Sequence, residues 1–193
     1  EEEEVRPPVE PAAFAQSRQN IFAFVRLRCK SSMREFCLAA YHNPCVFFSP
    51  PVMVIHSALA GQRVEKLANG APYILLGDFN IQPGDYCYKL LTTGSIARDD
   101  PAYPDLGADP WEPTLGTPLR SSYAVHGAEP EFTNYAQIKS DPEFIACLDY
   151  VFISPEWDVV AVQATPKLAE KQGPLPTASI PSDHILLGAQ LKL

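Results

Sequence analysis

The sequence predicts a layered α/β domain, and three observations carry that prediction. Apolar, strand-like runs sit on both sides of one long amphipathic helical pattern, the order strand, helix, strand. Two of the later runs meet polar groups at their ends. Tyr73-Ile74-Leu75-Leu76 runs into Gly77-Asp78-Phe79-Asn80, and Ser182-Asp183-His184 leads into Ile185-Leu186-Leu187. The chain has 193 residues with 46% hydrophobic content, enough for one domain with a sizeable core.

The elements follow in order. Residues 1–19 open with four Glu and then carry Pro and small residues, which reads as a solvated tail or loop remnant without regular structure. Residues 20–29 are apolar and then alternate with Arg26 and Arg28, a strand pattern. Lys30-Ser31-Ser32 is a turn, and residues 35–42 make a second strand that pairs with the first as a hairpin, ended by Pro44. Residues 52–68 are the clearest helix. Val52, Ile55, Leu59, Val64 and Leu67 fall near one stripe, Pro51 stands at the start, and Asn69-Gly70 at the stop. A buried strand over 73–76 and a short helix over 83–91 come next. Residues 92–131, rich in Pro, Gly and Asp, read as a long irregular segment. Strands are expected over 145–153, 158–164 and 185–193, with loop over 167–181.

Charge and cysteines narrow the function. A net charge of −8 excludes broad, salt-sensitive wrapping of duplex nucleic acid, which needs a basic face. It leaves open a phosphoester held locally through a metal ion. The five Cys (Cys29, Cys37, Cys45, Cys87 and Cys147) form an odd set without a CxxC pair, read as free, mostly buried thiols in a reducing, intracellular compartment rather than a zinc site. No apolar run reaches the length of a membrane span. The chain begins at Glu1 without Met or a signal pattern, as expected of a processed or excised piece.

Polar groups at strand ends are the candidates for chemistry. Carboxylates there can hold a cation, and amide or imidazole groups can hold phosphoryl oxygens. Asp78 and Asn80 stand two apart and share a face if the segment is extended; the alternative is an Asp turn capping the next helix. Asp183 and His184 are neighbours and reach one cleft only if the chain turns. Asp149 interrupts the apolar run Leu148-Asp149-Tyr150-Val151-Phe152, where burial without a partner is expensive, so it pairs either with a catalytic group or in a structural ion pair. His42 ends an apolar strand, either as a strand-end cap or as an active-site group. His56 and His126 read as packed or half-exposed histidines rather than ligands.

Gly77-Asp78-Phe79-Asn80, Leu148-Asp149-Tyr150 and Ser182-Asp183-His184, with Tyr41-His42-Asn43-Pro44 upstream, resemble in order and spacing the endonuclease/exonuclease/phosphatase superfamily. The run GDFNIQPGDYCYKLLTTG resembles its nocturnin and poly(A)-deadenylase branch, and the likeness covers residues 20–193. The resemblance implies a four-layered α/β sandwich of two β-sheets with helices outside, and a hydrolase dependent on Mg²⁺ or Mn²⁺. It implies Asp78 at the attacking nucleophile, Asn80 and His42 on the phosphate, Asp183 as metal ligand, His184 at the scissile phosphate and Asp149 orienting His184. Thr133 and Asn134, in a Phe-Thr element before the Leu-Asp-Tyr strand, are implied to line the cleft.

Such sandwiches run to roughly 250 residues. The resemblance implies an early strand Asn and a metal-binding strand Glu that residues 1–19 do not supply. The chain therefore reads as the C-terminal two-thirds or so of the domain. The function expected is a metal-dependent phosphodiesterase, a deadenylase-like 3′-exoribonuclease or a nucleotide phosphatase, with RNA or a nucleotide phosphoester as substrate and no membrane partner. The alternative is a degenerate domain kept as a binding or scaffold module, completed by its missing N-terminal half or held in a larger assembly. Half a sandwich should also leave an apolar strand edge or sheet face open.

Overall fold

The computed structural model describes residues 10–170 and 173–193. It begins with a short helix, α1 (Pro11–Gln16), with proline in a first turn that has no helical partner for its N–H. Here the structure differs from the unstructured tail expected before residue 20. Six residues are too few to hold a helix by propensity, and tertiary contact supplies the rest. Ala15 is buried, Phe14 stacks on Phe48, and the Ala15 carbonyl accepts from His56 Nε2 at 3.1 Å. Residues 1–9, with the Glu run, lie outside the described residues.

Strands β1 (Phe22–Arg28) and β2 (Glu35–Tyr41) form the expected hairpin, in register from Phe22 opposite Tyr41 to Arg28 opposite Glu35. Helix α2 (Pro50–Ala68) crosses over and stops at Asn69, which adopts the left-handed conformation and returns its N–H to the Glu65 carbonyl. Strand β3 (Tyr73–Asp78) then lies parallel to β2, and α3 (Tyr86–Thr93) follows.

The stretch expected to be irregular contains β4 (Arg120–Ser121) and α4 (Ser122–His126), both too short to leave a periodic signal. The single strand expected over 145–153 is two. β5 (Asn134–Ala136) pairs with β6 (Phe144–Ala146), whereas β7 (Asp149–Ile153) pairs with β3. The chain changes sheets at Cys147-Leu148. Finally β8 (Asp158–Val162) pairs with β9 (Ala189–Lys192), and a single 3₁₀ turn lies at Leu168–Glu170.

The main sheet has the order β1-β2-β3-β7-β4 and two unlike faces. On one, Cys37, Ala39, Tyr73, Leu75, Tyr150 and Phe152 alternate inward and pack against α2 and α3, giving the main core. The partner residues of the other face are Val25, Leu27, Phe36, Leu38, Ile74, Leu76, Val151 and Ile153. Trp157, Val159, Leu191 and Leu193 cover only part of it, leaving Val25 and Leu27 48% and 40% exposed. The open apolar face expected from the sequence is present.

Candidate active site

The site stands where β2 and β3 end and β7 begins. Gly77 lets the two strand ends approach. Its φ is +141°, and a Cβ there would fall 2.0 Å from the Tyr41 carbonyl oxygen. The antiparallel register of β3 and β7 then sets Asp78 directly opposite Asp149. Two facing carboxyls cost stability unless neighbouring groups offset their repulsion.

Imidazoles on either side offset that cost. His42 Nε2 lies 3.3 Å from Asp78 Oδ2, and His184 Nε2 lies 3.9 Å from the same oxygen. His184 Nδ1 meets Asp149 Oδ2 at 2.8 Å. The loop carrying Asp183 and His184 is tied to β5: Tyr135 N–H donates to the Asp183 carbonyl and Ile185 N–H to the Thr133 carbonyl. The chain turns there, as two adjacent residues serving one cleft require.

Burial pushes the Asp78 carboxyl above the usual carboxylate range. The Asn80 N–H opposes this, the Asp149 charge adds to it, and His42 and His184 pull it back. For His184, partial burial alone would lower the imidazole. The hydrogen bond and charge of Asp149, with Asp78 and Asp183, outweigh it and hold the ring above its ordinary value. Both shifts favour the protonated form, upward for the carboxyl through burial and for the imidazole through its carboxylate partners.

Asn80 reaches the site by a different route from the extended segment expected. Its φ is +52°, and its N–H donates to Asp78 Oδ1 at 2.9 Å. The Asp turn is thus present together with the cleft position, because Asn tolerates the left-handed region and the short Asp side chain can close on it. It does not cap the next helix, which begins at Tyr86 after Asp85. Asn80 Nδ2 donates to the Asn43 carbonyl at 2.9 Å, which leaves its second N–H for another acceptor.

Two implied cleft residues divide. Asn134 lines the cleft and donates from Nδ2 to Asp183 Oδ2 at 3.3 Å. Thr133 is fully buried and bonded to Asp149 Oδ2 at 2.6 Å, so it does not line the cleft. The cleft position was implied by the resemblance alone, and Thr133 stands immediately before β5, with its side chain turned to Asp149 instead. Asn43 belongs to the Tyr41-His42-Asn43-Pro44 element but was given no role by the sequence. It is fully buried, its N–H donates to the Asp78 carbonyl at 2.9 Å, and its Nδ2 donates to Ser57 Oγ at 3.3 Å. His56 is buried between Tyr41 Oη and the Ala15 carbonyl, and His126 is exposed at the end of α4.

A cavity of about 410 Å³ opens beside these groups, lined by Asn80, Asn134, Asp183, His184, Phe47 and Phe144 among others. Both aromatic rings are exposed. No motif signalled them, although unexplained exposed phenylalanines near a strand end are a usable cue.

Among the described residues, one group of side chains is close enough to share a cation: Asp78, Asp149 and His184, whose ligand atoms lie within 4.8 Å of one another. Two carboxylates and an imidazole are a donor set for a divalent ion such as Mn²⁺ or Mg²⁺. Asp183, which the resemblance implies as ligand, stands outside this trio at the cleft wall.

Comparison with known proteins identifies the family. The model of the Endonuclease/Exonuclease/phosphatase family matches residues 8–184. The chain belongs to this family. It is 34% identical over 174 residues to mouse (Mus musculus) 2',5'-phosphodiesterase 12, covering 83% of this chain and 27% of that protein. It is 28% identical over 193 residues to Drosophila melanogaster Nocturnin, covering 92% of this chain and 28% of that protein. In structure it resembles ANGEL2, a 2',3'-cyclic phosphatase, with a TM-score of 0.72 at 18% identity, over 92% of this chain and 62% of that one. The human Nocturnin catalytic domain gives 0.61 at 20% identity, over 90% and 53%. The chain thus spans about a quarter of the length of these curated relatives, and its α/β fold is that of the family's solved domains.

Proposed function

We propose that this chain carries the catalytic centre of a divalent-metal-dependent phosphoester hydrolase acting on RNA or a nucleotide, as a deadenylase-like 3′-exoribonuclease or a nucleotide phosphatase. The observation that carries this reading is the meeting of Asp78, Asp149 and His184 within 4.8 Å, from segments far apart in sequence. The cleft supports the substrate class, because Phe47 and Phe144 offer flat faces on which bases stack. The names of the relatives agree: one is a 2',5'-phosphodiesterase and one structural neighbour a 2',3'-cyclic phosphatase.

The residues divide the work as follows. Asp78, from the group close enough to share a cation, would supply one carboxylate oxygen to Mg²⁺ or Mn²⁺, and Asp183, which stands outside that group at the cleft wall, would supply another as the family resemblance implies. When bound, the cation offsets charge that develops on the phosphoryl group. Asn80, held by the Asn43 carbonyl, turns its remaining N–H to a phosphoryl oxygen. His184 Nε2 takes the proton of the attacking water, and Asp149 orients the ring and stabilises its cation. Asp78 positions that water, and His42 assists the leaving group. Asn134 holds Asp183 at the cleft wall. The five thiols suit a reducing compartment.

A second reading is a degenerate domain acting as a scaffold, favoured by the open apolar face of the main sheet. One experiment separates the two. Short adenylate RNA, a 2′,5′-linked adenylate and a nucleotide phosphate are offered to the full-length protein, and to this chain with the rest of its domain supplied. The enzyme reading expects cleavage in Mg²⁺ or Mn²⁺ and none in EDTA. No turnover of any substrate with either ion leaves the scaffold, and undiminished activity in EDTA overturns the metal-dependent mechanism.

A further inference from the structure

Thr133 has no accessible surface, yet its hydroxyl is fully engaged. The N–H groups of Leu148 and Asp149 donate to Thr133 Oγ1 at 2.8 and 3.0 Å, at the point where the chain passes from β6 to β7. The same Oγ1 lies 2.6 Å from Asp149 Oδ2. Its backbone is tied as well, with its N–H on the Ala146 carbonyl and its carbonyl receiving the N–H of Ile185, next to His184. Thr133 therefore joins the strand break that presents Asp149 to the loop that presents His184.

A hydroxyl has one proton and two lone pairs. Backbone donors occupy both lone pairs, so the proton goes to Asp149 Oδ2, and that oxygen is an acceptor. His184 Nδ1 contacts the same oxygen at 2.8 Å. Facing an acceptor, Nδ1 must be the donor, and in the neutral ring Nε2 then carries the lone pair. Nε2 is the nitrogen nearer Asp78.

We propose that Thr133 is a positioning residue whose hydroxyl fixes Asp149 as a hydrogen-bond acceptor and so holds neutral His184 in the tautomer with a free Nε2. This assigns Thr133 a role other than the cleft contact that the family resemblance implies. It rests on the proposed function only for what Nε2 does next; the tautomer itself is independent of turnover.

The test is nitrogen-15 NMR of the metal-free chain with labelled histidine, at alkaline pH where the imidazole is neutral, on wild type, Thr133→Ser and Thr133→Val. Wild type and Thr133→Ser should show the proton on Nδ1, and Thr133→Val a mixture of tautomers. Wild-type His184 carrying its proton on Nε2 would overturn the proposal without recourse to any variant, which matters because Thr133→Val strips two backbone N–H groups of their acceptor and can fail to fold. An unchanged spectrum in a folded Thr133→Val would overturn it too. In the active protein, Thr133→Val should lower kcat about 10–100-fold with little change in KM, and Thr133→Ser should restore it. A rise in KM at constant kcat would mean a substrate contact instead. If no turnover is found, the proposed function fails while the spectrum still decides the tautomer.

Discussion

Asp78 is where stability and function oppose each other most directly at the scale of single residues. Its folded proton affinity is raised above that of the unfolded chain by burial first and by the facing Asp149 after that. A carboxyl raised in this way favours its neutral form in the fold, so stability declines as pH rises from the unfolded value through the folded one. Asp78→Asn removes that decline and keeps an Oδ1 acceptor for the Asn80 N–H. The variant should therefore melt at a higher temperature than wild type at neutral pH while activity falls on the order of 10²–10⁴-fold. A lower melting temperature would show that the carboxylate stabilises the fold. Gly77 gives the opposite case: in Gly77→Ala the new Cβ meets the Tyr41 carbonyl at 2.0 Å, and a loss on the order of 3 kcal/mol is expected in denaturant melts. Asp183→Ala and His184→Ala should part company in metal titrations. Raised Mn²⁺ partly restores the first, which lacks a cation ligand, and leaves the second at its reduced rate.

At the scale of elements, legibility followed the length of the pattern. The helix at α2 and the strands β1 to β3 were readable because their apolar patterns are long and bounded by chemical stops such as Asn69 and Pro44. Asp78 and His184 were readable for a related reason, as polar groups at the ends of apolar runs, and Asp149 as a carboxyl interrupting one. Thr133 and Asn43 were not, since their roles consist of hydrogen bonds to residues distant in sequence. α1 was missed because its helix depends on docking against His56. That docking is pH-sensitive. Burial lowers the His56 imidazole below its ordinary value, the nearby Arg18 adds to this, and the Ala15 carbonyl opposes it. A base lowered in the fold stabilises the neutral form, so its contribution is complete above the unfolded value of 6.5 and fades as pH falls through the folded one. Amide exchange across residues 11–16 should therefore speed up on acidification below about pH 6.5, relative to β3. In His56→Gln the pH dependence should disappear; its persistence would place the titrating group elsewhere.

For the whole molecule, the decisive feature is that one sheet serves as both core and open surface. Phe152 and Leu75 have no exposure on the helix side, whereas Val25 and Leu27 on the opposite side remain largely wet. An apolar face of this kind, bordered by β1 as an edge strand, favours association in physical terms. The same patterning made the fold class legible but hid this asymmetry, because a strand buried on two faces and one buried on one and a half read almost alike. Substitution on the two sides should give contrasting results. Val25→Thr and Leu27→Thr retain strand-favouring side chains and remove only exposed apolar surface, so denaturant stability should change within about 0.5 kcal/mol. Binding of a hydrophobic dye and concentration-dependent self-association, followed by light scattering, should both decrease. Phe152→Ala removes a ring packed on Phe79 and Tyr150 and should cost about 3–5 kcal/mol. If Leu27→Thr proved as costly as Phe152→Ala, the outer face would have to be covered in solution by the chain itself or by a second copy. A melting transition that sharpened and rose with protein concentration would then identify the second copy.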